Sequence, residues 1–217
     1  MRTFNQQSYK PAMAINFGPD WQRELWASPY RLRFKLHQGG SYVNMFTSAY
    51  DRARCLARAA LPSEQVIAVI ADYPNPSVVI RARWRGRTLR AAYDVLGDMG
   101  VPTTPWEATW MGYTYPDQEG DPEARPCEHR AVSVTWDHAD ILLWTQIAHD
   151  IGVTPQAPVL SKLVDLERGV TVYACDDRGM DITALSPDPI AELHTRFDTW
   201  LLDHDRPRMS EAFAVKA

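Results

Sequence analysis

The clearest pattern along the chain is an alternation. Tyr30, Leu32, Phe34 and Leu36 alternate with Arg31, Arg33, Lys35 and His37, which predicts a strand with one buried and one cationic face, ended by Gly39-Gly40. From about Asn44 to Leu61 the period changes. Phe46, Ala49, Ala53, Leu56, Ala57 and Ala60 recur at helical spacing, with Arg52, Arg54 and Arg58 on the wet side and Pro62 as the stop. Val66 to Ala71 is a continuous apolar run of strand length, which predicts a central strand covered on both faces. This strand–helix–strand order gives a right-handed crossover provided the two strands lie side by side.

The same patterns extend outward. Pro19-Asp20 starts a short helix with Trp21, Leu25 and Trp26 on one side. Ser77 to Trp84 alternates as a strand, and Leu89, Ala92, Tyr93, Leu96 and Met99 predict a helix closing at Gly100. Further strands are expected at Trp106 to Tyr115 and at Arg130 to Trp136, separated by a proline-rich, acidic loop from Pro116 to Glu128. Asp137 is placed to cap a helix through Ile141, Trp144, Ile147, Ala148 and Ile151, stopped by Gly152. Leu160 to Leu166 and Val170 to Cys175 form a hairpin around Glu167-Arg168-Gly169. Ser186-Pro187-Asp188-Pro189 then opens a helix that carries Trp200 to Arg206. These elements predict a single α+β domain: a mixed, largely antiparallel sheet of about five to seven strands with helices mainly on one face. Residues 18–210 form that domain, residues 1–17 a loosely attached N-terminal segment and residues 211–217 a C-terminal tail.

Composition narrows the function classes. No apolar run approaches the ~18 residues of a membrane helix, and the N-terminus lacks a continuous apolar signal core. Cys55, Cys127 and Cys175 are scattered without paired spacing, which favours a reducing, cytoplasmic setting over a disulfide frame or a zinc knuckle. Charge is unevenly spread. Tyr30 to Arg90 holds eleven Lys/Arg against three Asp/Glu, +8, whereas Ala91 to Ala217 holds nine against twenty-two, −13. Arg31, Arg33 and Lys35, and then Arg81, Arg83, Arg85, Arg87 and Arg90, are cation-rich, but alternation puts Phe34 and Trp84 on the opposite faces. With a pI near 5.9, that argues against a dedicated nucleic-acid binder.

The one dense cluster of chemistry follows the last hairpin: Asp176, Asp177, Arg178 and Asp181, with Asp203 and Asp205 further on. Carboxylates grouped at a strand end can hold a divalent cation or divide acid–base work, and Asp203 or Asp205 would complete such a set. The structural alternative is that Asp and Gly build the turn and Arg178 pins it by pairing with an aspartate. Cys175 beside two carboxylates has its thiolate disfavoured. His138, His149, His194 and His204 form no shared ligand set, and no metal or nucleotide motif accompanies the aspartates. The structural alternative is therefore favoured, with no catalytic residue, metal or cofactor assigned.

Asp-Asp-Arg-Gly-Met-Asp, followed by Trp-Leu-Leu-Asp-x-Asp-Arg, resembles the signature of an uncharacterised bacterial family, domain of unknown function 3885. Leu32-Arg33-Phe34 and Tyr50-Asp51-Arg52-Ala53 are similar to its weaker N-terminal pattern. The sequence departs from the pattern at Cys175, where an aromatic is expected, and at His204, where tyrosine is expected. The resemblance implies one compact unit and transfers no activity. Size, missing catalytic motifs and an acidic C-terminal half lead to an expected function: a non-enzymatic binding protein, most concretely an immunity protein that neutralises a bacterial toxin by covering its active site. Its partner surface is expected at Asp117, Glu119, Asp121 and Glu123 and around the charged motif. The alternatives are a metal-dependent hydrolase or nuclease centred on Asp176, Asp177 and Asp181, and a small-anion or nucleotide sensor using the arginines.

Overall fold

A computed structural model describes residues 24–72, 92–113, 121, 124 and 126–214. The expected strand at 77–84, the arginines from 81 to 90, the segment 1–17, Trp21, and the loop carboxylates Asp117, Glu119 and Glu123 lie outside these residues.

Strand β1 (Arg31–Lys35) buries Leu32 and Phe34 completely, as its alternation requires. Helix α1 (Tyr42–Ala60) begins where the Ser41 hydroxyl accepts a hydrogen bond from the Asn44 N–H at 3.3 Å. It buries the six residues that recur at helical spacing, four of them alanines that let the helix sit close against its neighbours. Strand β2 (Gln65–Asp72) is the expected two-faced strand. Helix α2 (Ala92–Asp98) and strand β3 (Ala108–Gly112) follow. Strand β4 (Cys127–Thr135) runs directly into helix α3 (Trp136–Ile151). The hairpin is β5 (Val159–Asp165) and β6 (Val170–Ala174), and strand β7 (Gly179–Ala184) comes next. Helix α4 (Ala191–Arg196) and helix α5 (Arg206–Ala212) close the chain.

The seven strands form one sheet in the order β1-β7-β6-β5-β2-β4-β3, with every neighbouring pair antiparallel. Four antiparallel steps make β1 and β2 parallel, but β7, β6 and β5 lie between them. The side-by-side crossover expected of β1–α1–β2 is therefore absent, because the later hairpin strands fill the gap. Val66, Ala68 and Ile70 of β2 join the main core, to which all the labelled helices contribute. Ile67 and Val69 face the other way and form a second cluster with Ala131 and Val164, against which Trp110 packs. Among the described residues no helix belongs to that second cluster, and none is long and apolar enough to cross a membrane.

Three further expectations need correction. Asp137 does not cap α3: Thr135 holds that position without a side-chain cap bond, since β4 passes into the helix without a turn. Cys127 and Glu128 belong to β4 and not to the preceding loop, because they pair with Gly112 and Met111. The helix expected from Ser186 through Arg206 stops at Arg196. Tight 3-10 turns follow at Asp198–Trp200 and Asp203–Asp205, and between them Leu201 is extended and buried. It bridges Phe34, while the Leu202 N–H donates to the Arg33 carbonyl at 2.8 Å. The outer edge of β1 needs partners for its backbone groups, and this segment supplies them.

Gly152 ends α3 at φ 76°, a left-handed conformation, with its N–H donating to Ala148. Gly152→Ala should lower unfolding free energy by about 1 kcal/mol in denaturant titrations, since a Cβ is strained there. An unchanged midpoint would show that the chain relaxes at this cap.

Candidate functional site

The β6–β7 connection is built by Asp176. Its carboxylate accepts from the backbone N–H of Arg178 at 2.7 Å and of Gly179 at 2.9 Å, the geometry of an aspartate-stabilised turn. The Arg178 guanidinium donates to the second carboxylate oxygen, through Nε at 2.9 Å and also through Nη2. The Arg178 side chain is 74% exposed, whereas that of Asp176 is 15% exposed. The Arg178 carbonyl accepts from the Leu36 N–H at 2.9 Å and so ties the turn to the end of β1.

The other motif residues go to different places. Asp177 is buried and pairs with His37 Nε2 at 3.0 Å. Burial raises its pKa, neighbouring Asp176 adds to this, and His37 opposes it. Asp181 lies on β7 opposite Arg33, which donates to it through Nε at 2.9 Å. The same guanidinium reaches Asp205 through Nη1 at 3.0 Å. Burial pushes the Asp181 pKa up against the pull of Arg33. Asp203 is exposed and meets Arg206 at 3.4 Å, a cation that also holds Asp198 at 2.5 Å. The fold thus joins Asp181 to Asp205 through one arginine and places Asp176, Asp177 and Asp203 elsewhere. Among the described residues no group of three or more His, Cys, Asp or Glu is arranged to hold a metal ion. Asp121 is exposed.

The histidines serve packing and pairing. His194 stacks on Phe213 with ring centroids 5.5 Å apart, and His149 lies 3.1 Å from its neighbour Asp150. Cys175 has its thiol pKa pushed up by burial first and by Asp181 and Asp176 next, in line with the expected loss of thiolate character.

Sequence reasoning passed over a second group, on the face of the sheet opposite the described helices. In one row across the strands stand Arg33, Asp181, Tyr173, Lys162, Val69 and Ala131. Lys162 Nζ lies 5.5 Å from the Tyr173 ring centroid. One row further along, the His129 ring stacks on Trp110 at 5.4 Å, and its Nε2 is 3.7 Å from the Cys127 thiol. Burial, and then Lys162, lower the His129 pKa to about 4. The available signal was a single cation inside the apolar strand Val159-Leu160-Ser161-Lys162-Leu163-Val164.

With this geometry in place, comparison with known families is decisive on one point. The family model of domain of unknown function DUF3885 matches residues 11–205. The chain belongs to this family. No curated protein and no solved structure matches it. The DUF3885 match takes in both the charged turn and the Arg33 cluster, so each belongs to the domain itself.

Two outcomes test these assignments. Arg178→Ala should change stability by no more than about 1 kcal/mol, because an exposed ion pair contributes little. Asp176→Ala should cost roughly 1–3 kcal/mol, because two turn N–H groups lose their acceptor. Equal losses in thermal or urea unfolding would contradict the division of labour. His129, 3% exposed, gives a pH signature. Its folded pKa lies below the ordinary value, so the unfolded chain binds the extra proton, and stability is full above pH ~6.5 and falls as pH drops towards ~4. The loss amounts to roughly 3 kcal/mol across that window. His129→Phe should flatten that part of the curve; parallel curves for the two proteins would rule the assignment out.

Proposed function

We propose that the chain is a non-enzymatic binding protein, in its most concrete form an immunity protein that neutralises a bacterial toxin by covering its active site. The observation that supports this reading is the fate of the charged motif. Asp176 holds a turn, Asp177 holds His37, Asp181 and Asp205 share Arg33, and Asp203 meets Arg206. Carboxylates used in this way set the shape of a surface and do not converge on a reacting atom. Exposed acids follow the motif along the chain, at Asp188, Glu192, Asp198, Asp203 and Glu211, of which Glu192 meets Arg196 and Asp198 and Asp203 meet Arg206. Enzymes that attack nucleic acids carry basic substrate channels, and an acidic surface both steers towards such a channel and competes for it. Cys55, Cys127 and Cys175 are not joined in disulfides, which favours a cytoplasmic setting.

The test is association kinetics with the product of the adjacent gene at rising salt. The association rate should fall with ionic strength. Neutralising Asp117, Glu119, Asp121 and Glu123 together should slow it by about tenfold and leave the melting temperature unchanged. No binding, or a salt-independent association rate, removes the proposal. A rise in melting temperature with millimolar Mg²⁺ or Mn²⁺ that Asp176→Asn abolishes would favour a metal-dependent hydrolase instead.

A further inference from the structure

His37 lies just past the end of β1, and both of its ring nitrogens are engaged. Nδ1 accepts a hydrogen bond from the Gly39 N–H at 2.9 Å. A backbone amide always carries its proton, so Nδ1 carries none, and the ring is the neutral tautomer with its hydrogen on Nε2. Nε2 is buried and lies 3.0 Å from Oδ2 of Asp177, close enough to attract but not aligned as a hydrogen bond. Asp177 and Asp176 stand on the β6–β7 connection, and Asp150 at the end of α3 acts on the same corner. Arg178 is taken up by Asp176, His149 sits beside Asp150, and Arg52 of α1 donates to the Lys35 carbonyl. Carboxylate charge on one side of the imidazole therefore attracts a second proton. The Gly39 amide on the other side leaves no place for it.

We infer that His37 is a pH-operated latch on the turn leading into α1, closed while the ring is neutral and released when it takes a second proton. The proton enters at Nδ1, where the Gly39 N–H points, so two N–H groups face each other and the hydrogen bond is lost. The imidazolium then turns towards Asp177 as a full ion pair. What opens is the Gly39-Gly40 reversal, whose φ angles of 89° and 111° glycine adopts without steric cost. The chain is held on both sides of it. Leu36 N–H donates to the Arg178 carbonyl at 2.9 Å, and the Ser41 hydroxyl accepts from the Asn44 N–H. Release is thereby confined to the residues between these two points. Residues 38–44 are all exposed, and Tyr42 and Val43 are 76% and 70% exposed. The latch thus sets how these two apolar side chains are presented. It makes no use of the acidic surface, and its test needs no protein partner.

The test is a pH series from about 8 to about 5, the range in which histidine changes charge, on the isotope-labelled full-length protein followed by NMR. At the upper end the His37 ring should carry its proton on Nε2, read from long-range proton–nitrogen couplings. As pH falls, the Gly39 amide should shift with the same midpoint as the ring, and its exchange protection should drop about fivefold. Amides of β2 and β5 should stay unchanged. His37→Asn keeps an acceptor where Nδ1 stands and takes no proton, so its Gly39 amide should be flat with pH. Asp177→Asn should move the midpoint of the otherwise native chain to lower pH, since a neighbouring carboxylate favours the imidazolium. Because ring and amide are read in the unaltered chain, the result stands even if a variant folds poorly. Any of four outcomes overturns the inference: a ring protonated on Nδ1 at the upper end, a ring that stays neutral throughout, a Gly39 amide that ignores the ring's titration, or a change shared by the whole sheet.

Discussion

Everything in this fold depends on burying both faces of β2. Val66, Ala68 and Ile70 point one way and Ile67 and Val69 the other, and all five are at most 4% exposed. A strand of this kind cannot sit at an edge, so β4 and β5 must pair on either side of it. Its two faces also need two covers. The helices supply one, with the alanine-rich face of α1 and the apolar residues of α3 packed into the main core. The second face is smaller and carries the polar row from Arg33 to Lys162, so it differs in chemistry as well as in packing.

The charged motif solves a separate problem, at the far end of the same sheet. β1 is an edge strand, and an uncovered edge invites pairing with other chains. The C-terminal segment covers it through the Leu201 bridge, the Leu202 N–H and the Arg208 guanidinium, which donates to the Arg31 carbonyl at 3.2 Å. Arg33 then locks strand and segment together by holding Asp181 of β7 and Asp205 of the segment at once. One planar guanidinium spans both because its donors fork, a geometry that lysine cannot reproduce. Arg168 works in the same way near the other end of the strands. It donates to the Ala60 carbonyl at 2.6 Å and the Pro189 carbonyl at 2.8 Å, so it caps α1 and anchors the start of the C-terminal segment.

Legibility in the sequence followed the strength of the periodic signal. α1 was expected from about Asn44 to Leu61 and is found at Tyr42–Ala60, because six apolar positions repeat without a break. β1, β2, β5 and β6 were legible for the same reason. β7 was passed over although Met180, Ile182 and Ala184 alternate with Asp181 and Thr183, since Asp and Gly at its start drew the segment into a turn. The Trp200–Arg206 stretch was misjudged because its apolar residues resemble a helical stripe, whereas pairing with β1 requires Leu201 to be extended. Of the site, the roles of Asp176 and Arg178 were readable locally, two residues apart. The link from Asp181 to Arg33 and Asp205 spans most of the chain, and only the sheet order creates it.

Lys162 and Arg33 stand in the same row of the same face, and their surroundings treat charge in opposite ways. Arg33 is compensated: two carboxylates share its guanidinium at hydrogen-bond distance, and their attraction outweighs its burial and raises its pKa. That is the pattern of a structural cation, whose removal would leave two partly buried carboxylates opposed to each other. For Lys162 the balance falls the other way, and burial outweighs the thiols of Cys175 and Cys127 that would favour its charge. If packing alone were at stake, methionine would fill the same space with its unbranched stem and carry no charge to desolvate. An ammonium on the middle strand therefore carries a desolvation cost that its neighbours only partly offset.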